Sequence, residues 1–362
     1  VKSYYPSLIL LMQMFPEQTG PALITIYRKI YERRLFCKDE AARIKKLAEY
    51  FKGDSCYKEM IDEADRFQTE SDGLKIFLNG TFGKLFSKYS KPLYAPELGI
   101  RTTISGQLAL LMLIEIMEHA GIAVISANTD GIVLKIPRGK KAVMQMLVKW
   151  WESQTGLEME ETQYSAIYFR DVNNYAAITI DGKVKRKGVF NNSGVLSGPQ
   201  GKSPFMDICA DAAIAYLKDG TPINETITRC TDIRKFIVAR GITGGGEYIN
   251  QATGEKTYLG KVARWYYGRT AGYIAAVKTG NKAAGSDMAV PVMTLPATMP
   301  DNVDYGKYCR VATELLADVG VPVRYWYHDE SDCVFITADD AEFGNDERCV
   351  EIDKKMYEKK KR

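Results

Sequence analysis

The sequence predicts an α+β fold. Residues 20–54 and 58–88 carry two long stretches of helical periodicity, broken at Asp54 and Ser55 as in a helix hairpin. Short apolar runs turn at Asp130-Gly131 and again at Asp181-Gly182, and Asp-Gly favours a two-residue β-hairpin turn. After Ser193 the composition shifts to Gly, Ser and Pro (SGVLSGPQGKSP), which marks a domain boundary.

The elements follow in order. Val1 runs straight into SYYPSLIL, as though inside an element, so the chain reads as a fragment of a longer one. The two long helices come next, and Pro92 and Pro96 punctuate a loop. Residues 103–119 form a strongly apolar helix stopped by Gly121. Strands are expected at 122–127 and 132–136, an amphipathic helix at 140–155, and strands at 165–169, 175–180 and 183–190. Beyond the boundary, helices are expected at 205–218, 225–240 and 305–319. A glycine-rich loop at 241–246 and a hairpin at 248–258 lie between them. Residues 325–336 alternate before a charged tail, and no internal repeat is visible.

Composition narrows the function classes. A chain of 362 residues that is 46% hydrophobic can bury large cores, in two or three domains. The net charge of +4 is too small to establish nucleic-acid binding, but cations cluster at 28–46, 183–187 and 354–362. Seven cysteines without a CxxC argue against a zinc or disulfide framework and suit a reducing cytosol. His119 and His328 are too isolated for a metal cluster or a histidine-based triad. The longest apolar run, 108–117, is too short to span a bilayer and contains Glu115, and the opening has no signal-peptide pattern. The glycines at 241–246 lack the GK[ST] of a phosphate-binding P-loop.

Residues 73–83, GLKIFLNGTFG, carry the first chemical signal. In a helix, Lys75, Asn79, Phe82 and Gly83 fall on one face, and Ile76, Phe77 and Leu78 are left to seek a core. Lysine suits phosphate, an aromatic ring suits a base or sugar, and glycine admits a close backbone. A solvated helix face is the plain alternative. Asp130 is the second signal, with its carboxylate at the tip of a hairpin in SANTDGIVLKI; an ordinary turn is the alternative there.

Three segments together resemble family B DNA polymerases. Ser3-Tyr4-Tyr5-Pro6-Ser7-Leu8-Ile9 is similar to SLYPSII, residues 75–83 to KxxxNSxYG, and Ala127-Asn128-Thr129-Asp130-Gly131 to the GDTDS hairpin. Asn173 to Tyr175 with Lys185-Arg186-Lys187-Gly188 resembles the KKRY hairpin and its following basic strand. GKVARWYYG and DNVDYGKY look like thumb segments of phage members. The resemblance covers most of residues 1–320. It implies a palm of antiparallel sheet and helices, helical fingers and a mixed thumb. The expected boundaries are a first palm strand at 1–12, fingers at 13–88, palm at 89–193, thumb at 194–325, and a C-terminal extension with a basic tail at 326–362. An exonuclease domain would lie upstream.

The implied activity is template-directed DNA synthesis, the transfer of a nucleotide from a dNTP to a primer 3′-hydroxyl with two Mg²⁺ ions. The resemblance assigns Asp130 and Lys75 to catalysis, Asp130 as a metal ligand and Lys75 on phosphate. Asn128 stands where the family has aspartate, keeping an oxygen but losing a charge, so weaker metal affinity is expected. The family's other metal aspartate would occupy the position before Val1. Ser3 and Tyr4 would offer backbone amides, and Tyr5 would be the gate against a 2′-hydroxyl. Arg34 and Lys38 would meet the β- and γ-phosphates, with Arg28 and Arg66 as competing cations. Asn79 and Phe82 would line the nucleotide; Phe82 replaces tyrosine and Gly80 replaces serine. Gly83, Tyr175, Lys185, Arg186 and Lys187 would contact DNA, although Asn173 and Asn174 stand where cations are usual. The implied partners are primer–template DNA, dNTP and a possible processivity or priming protein, with no membrane, in the host cytoplasm of a phage. The alternative reading is a catalytically impaired, polymerase-like module that binds primer–template.

Overall fold

In a computed structural model, which describes residues 1–191, 205–269, 272–328, 333–338 and 349–360, the opening residues form helix α1 (Tyr4–Leu11) rather than the expected palm strand. The reason is local. Pro6 falls in the first helical turn, where its missing N–H leaves no hydrogen bond unmade. The run around it is apolar on every side, a pattern that periodicity alone cannot divide between strand and helix. Tyr4 and Leu8 enter one core cluster and Ile9 and Leu10 another, so most of α1 is buried, with Leu11 left exposed at its end.

The chain divides into two units, Val1–Glu161 and Thr162–Arg362. In the first, α2 (Ala22–Ala48) and α3 (Cys56–Lys84) form the expected antiparallel hairpin. Cys37, Ala41, Ile44 and Ala48 are buried on α2, and Ala64, Ser71 and Leu78 on α3. Those spacings of three, four and seven make a coiled-coil seam, and its small residues allow close approach. The buried Tyr27 hydroxyl donates to the Leu78 carbonyl at 3.0 Å, and Arg33 pairs with Glu70 at 2.7 Å. Leu78 reaches the core as expected, but Ile76 and Phe77 are 74% and 49% exposed. The seam takes only one side of α3, and these two residues lie outside it.

Helix α4 (Pro96–His119) starts earlier than the sequence suggested, at a proline suited to a first turn. It is long and apolar enough, by length and composition, to cross a membrane. In this unit its Leu110, Leu113 and Met117 pack in the core with Trp151. It ends where Gly121 takes φ +67°: the Gly121 amide bonds the Glu118 carbonyl at 2.8 Å and the Ile122 amide the Met117 carbonyl at 2.9 Å. This pairing closes the last turn and leads directly into β1 (Ala123–Asn128) and β2 (Gly131–Lys135), an antiparallel pair. Helix α5 (Lys141–Thr155) lies against α4, its buried Trp151 indole donating to the Ala109 carbonyl at 2.7 Å.

The second unit opens with the meander β3 (Tyr164–Asp171), β4 (Asn174–Thr179) and β5 (Val184–Lys187), in that order. The stretch read as a domain boundary lies at residues 192–204, outside the described residues, apart from its approach. Helix α6 (Asp207–Asp219) and the short α7 (Ile223–Thr228) follow. The helix expected at 225–240 stops at Thr228: Asp232 accepts the Arg234 amide at 3.1 Å and turns the chain into a short 3₁₀ segment. A second sheet then runs β8-β6-β7-β9, from β6 (Val238–Asn250), β7 (Lys256–Tyr267), β8 (Gly272–Ala276) and β9 (Ala289–Pro291). The glycines expected as a loop at 241–246 are part of β6, whose register is irregular there. Helix α8 (Tyr305–Asp318) closes the core, where Tyr308 donates to the Phe236 carbonyl at 2.9 Å and accepts the Tyr267 amide at 2.8 Å. Strands β10 (Arg324–His328), β11 (Cys333–Thr337) and β12 (Cys349–Ile352) form a last sheet, followed by α9 (Lys354–Lys360). Helices and antiparallel sheets in both units bear out the α+β class.

Gly188 joins β5 to the β3–β4 turn at φ +62°, and a Cβ there would collide with the Asn173 carbonyl and the Asn174 side chain. Gly188→Ala is expected to cost about 2–3 kcal/mol, from left-handed strain plus the backbone collision. Urea denaturation should show a lower midpoint at unchanged slope; an unchanged midpoint would refute the close approach.

Candidate functional site

The site in the first unit is built around the N-terminus of α1. Ser3 precedes the helix at φ 46°, ψ 50°, a left-handed kink that is uncommon for serine. The amides of Tyr4 and Tyr5 fall in the first turn, where no intrahelical acceptor exists. The two tyrosines have different tasks. Tyr4 is buried, and its hydroxyl donates to the Gly106 carbonyl of α4 at 2.5 Å; burial pushes its pKa up to about 12. Tyr5 stacks on Phe82 of α3, ring centroids 4.5 Å apart and planes 26° from parallel. Phe86 meets Phe82 edge-on at 5.7 Å.

Cations gather beside this stack. Arg34 of α2 donates to the Ser3 hydroxyl, and its buried Nε has no hydrogen-bond partner. The Arg34 carbonyl accepts Ser71 of α3 at 3.4 Å, and Lys75 is one helical turn beyond Ser71. Lys75 and Asn79 are exposed on α3, and the glycines at 80 and 83 face open space. Arg28 and Arg66 are exposed, whereas Arg34 reaches Ser3. Two contacts, Arg34 with Ser3 and Tyr5 with Phe82, therefore meet at the first turn of α1, with Lys75 and Asn79 on the turns of α3 before Phe82.

Lys38, one turn beyond Arg34, is held by Glu160 at 2.6 Å, and Lys2 by Glu158 at 2.5 Å. The hydrogen bond from Lys38 is the main reason that the Glu160 carboxyl sits below its ordinary pKa. Sequence reasoning missed Glu158 and Glu160. Their signal was the alternation Leu157-Glu158-Met159-Glu160, with Leu157 buried and the carboxylates turned the other way.

Asp130 stands exposed at the β1–β2 turn. Asn128 pairs with Gly131, so the two turn residues are Thr129 and Asp130, one step earlier than an Asp-Gly turn. Thr129 takes φ +35°, an outlier for a β-branched residue. Its hydroxyl donates to Asn128 Oδ1 at 2.9 Å. The Val1 amino nitrogen donates to the Asp130 carbonyl at 2.5 Å. Among the described residues no group of three His, Cys, Asp or Glu side chains is placed to hold a metal. Asp130 and Asn128 offer one carboxylate and one amide oxygen. Two Mg²⁺ ions need more hard oxygen ligands than that, so these residues alone do not fit a two-metal site.

In the second unit, strand alternation separates the three cations of β5. Lys185 lies 5.4 Å from the Tyr164 ring centroid and Lys187 5.9 Å from that of Tyr175. Arg186 points to the other face and binds Asp211 of α6 at 2.6 Å; Lys235 binds the same carboxylate at 2.8 Å. Burial alone would raise the Asp211 pKa, but hydrogen bonds from the two cations hold it below the ordinary carboxylate range. Asn174 bonds Asp171 at 2.8 Å and the Val189 amide at 2.9 Å, so it organises the strand ends near Tyr175.

No family model and no curated protein matches the chain. Among solved structures it is similar to the family B DNA polymerase from the hyperthermophilic archaeon Pyrobaculum calidifontis, at 16% identity and a TM-score of 0.45. The match covers 88% of this chain and 44% of that polymerase, so the chain spans less than half of its length.

Asp211→Asn should lower stability by about 2–3 kcal/mol, because two partly buried cations lose a charged acceptor. The sign for pH follows from the depressed pKa of Asp211. Its contribution is complete above the unfolded carboxylate pKa of about 4 and is lost as pH falls through the lower folded value. Chemical denaturation from pH 6 to pH 2.5 should show the wild-type advantage over Asp211→Asn shrinking. A constant advantage would contradict the pairing.

Proposed function

We propose that the chain is the core of a template-directed nucleotidyltransferase that adds deoxynucleotides to a primer 3′-hydroxyl. The observation that carries this is the cluster at the start of α1, where Tyr5 stacks on Phe82 and Arg34 meets Ser3. In this reading the triphosphate takes the first-turn amides of α1, with Arg34 and Lys75 as counter-charges. The unpartnered Arg34 Nε is a donor awaiting an acceptor. Tyr5, braced by Phe82, lies under the sugar and excludes a 2′-hydroxyl. Asn79 faces the nucleotide from α3. Lys185 and Lys187, each set against a tyrosine ring, hold phosphates of the primer–template without reading its sequence.

Mg²⁺ would lower the pKa of the attacking hydroxyl and stabilise the leaving pyrophosphate in this reaction class. Asp130 and Asn128 do not make that site alone. The family resemblance calls for an aspartate on the nitrogen of Val1. That nitrogen is 2.5 Å from the Asp130 carbonyl, so a residue attached to it would adjoin Asp130. Asn128, an amide where the family has a carboxylate, favours a second reading, a polymerase-like module that binds primer–template without catalysis.

Primer extension separates the two readings. A chain carrying aspartate before Val1 should extend a primer with Mg²⁺ and dNTPs. Asp130→Ala in that chain should reduce the rate more than about a hundredfold, the scale of several kcal/mol of lost charge stabilisation, with folding intact. Normal extension by Asp130→Ala would remove the catalytic reading. Primer–template binding with no extension at any Mg²⁺ concentration would favour the second reading.

Tyr5→Ala should raise ribonucleotide incorporation relative to deoxynucleotide by about tenfold or more, since the excluding ring is gone. Competition between labelled ATP and dATP reads the ratio, and unchanged sugar selectivity would sink the gate assignment.

A further inference from the structure

We propose that the β8-β6-β7-β9 sheet of the second unit binds single-stranded nucleic acid, with Tyr258 as a stacking platform. This goes beyond the nucleotidyltransferase reading and does not need it. The first argument is charge. Residues 238–282 hold seven Lys and Arg against Glu247 and Glu255, a net of +5, whereas the whole chain nets only +4. Asp287, just before β9, brings the span of the whole sheet to +4, a positive excess that no run of adjacent cations marks in the sequence. Lys261, Arg264 and Lys278 are exposed and make no ion pair among the described residues. Such an array suits a polyanion.

The second argument is the glycine run in β6. Gly244 and Gly245 take φ +88° and +94°. A Cβ at Gly244 would lie 2.9 Å from the Lys278 stem, and one at Gly245 2.8 Å from the Tyr258 ring. The missing side chains let Lys278 and Tyr258 lie down on bare backbone. Tyr258 is thereby held in place while remaining 62% exposed. A fixed aromatic ring beside unpaired cations is the arrangement that stacks unpaired bases and tracks their backbone. Nearby, Lys282, which pairs with Asp287, sits 5.3 Å from the Tyr273 ring centroid, a cation–ring pair on β8 and the turn after it. The ring decides between strand forms. In a duplex the base faces are already stacked on one another, so Tyr258 would add nothing to phosphate contacts.

Fluorescence anisotropy of the full chain with labelled oligo(dT) and with a blunt duplex of equal length tests this. Tyr258→Ala should weaken oligo(dT) binding by about tenfold or more, while Tyr258→Phe, which keeps the ring, should bind as the wild type does. Lys261→Gln with Lys278→Gln should reduce the slope of log affinity against log salt by about 1.4, for two phosphates lost on a single strand. Lys141→Gln with Lys149→Gln, two exposed cations of α5, should leave oligo(dT) affinity unchanged. The proposal is overturned if Tyr258→Ala binds oligo(dT) as tightly as the wild type, or weakens single strand and duplex equally. It is also overturned if the wild type does not bind oligo(dT) at low salt.

Discussion

The first unit depends on how α1 is seated. Most of this helix is apolar and needs cover, and three partners supply it. Leu8 and Tyr4 pack towards α4, while Ile9 and Leu10 share a cluster with Tyr27 of α2 and Leu78 of α3. Each fully buried aliphatic of this kind contributes about 1.5–3 kcal/mol. That burial fixes the direction of the helix, and the direction fixes everything at its N-terminus. Tyr4 is turned inward to Gly106, Tyr5 meets Phe82, and Ser3 meets Arg34. A core constraint thus aligns the groups proposed to hold a nucleotide.

Some cations of this unit are committed to local ion pairs. Lys38 and Lys2 are held by Glu160 and Glu158, and Arg33 by Glu70. These pairs are largely exposed and add little to stability. They matter because they determine which cations remain for a ligand. Arg34 and Lys75 are among those left, one leaning on a serine hydroxyl with a buried Nε unpartnered, the other exposed on α3. In the second unit the same sorting occurs on β5, where alternation commits Arg186 to Asp211 and leaves Lys185 and Lys187 beside aromatic rings.

Much of this was legible in the residues. The α2–α3 hairpin, the stop at Gly121 and the hairpin at Asp130 follow from periodicity and turn chemistry, which are local. The opening helix was not legible, because an apolar run without polar positions has no period to read. Ile76 and Phe77 were misassigned to a core because helix spacing defines a face but not whether a partner covers it. The glycines of β6 read as a loop because their strand role depends on Tyr258 and Lys278 lying over them, a contact between distant residues. The candidate site was half legible. Lys75, Phe82 and Tyr5 could be listed, but the Tyr5–Phe82 stack, the Ser3–Arg34 contact and the role of Glu160 come from packing between elements far apart in sequence.

A crystal structure of the chain with a bound dNTP tests the central claim most directly. The account predicts the triphosphate at the first turn of α1, in contact with Arg34 and Lys75, with the sugar against Tyr5 on its Phe82 support. A nucleotide bound away from α1, or Tyr5 displaced from Phe82 with no contact to the sugar, would contradict it.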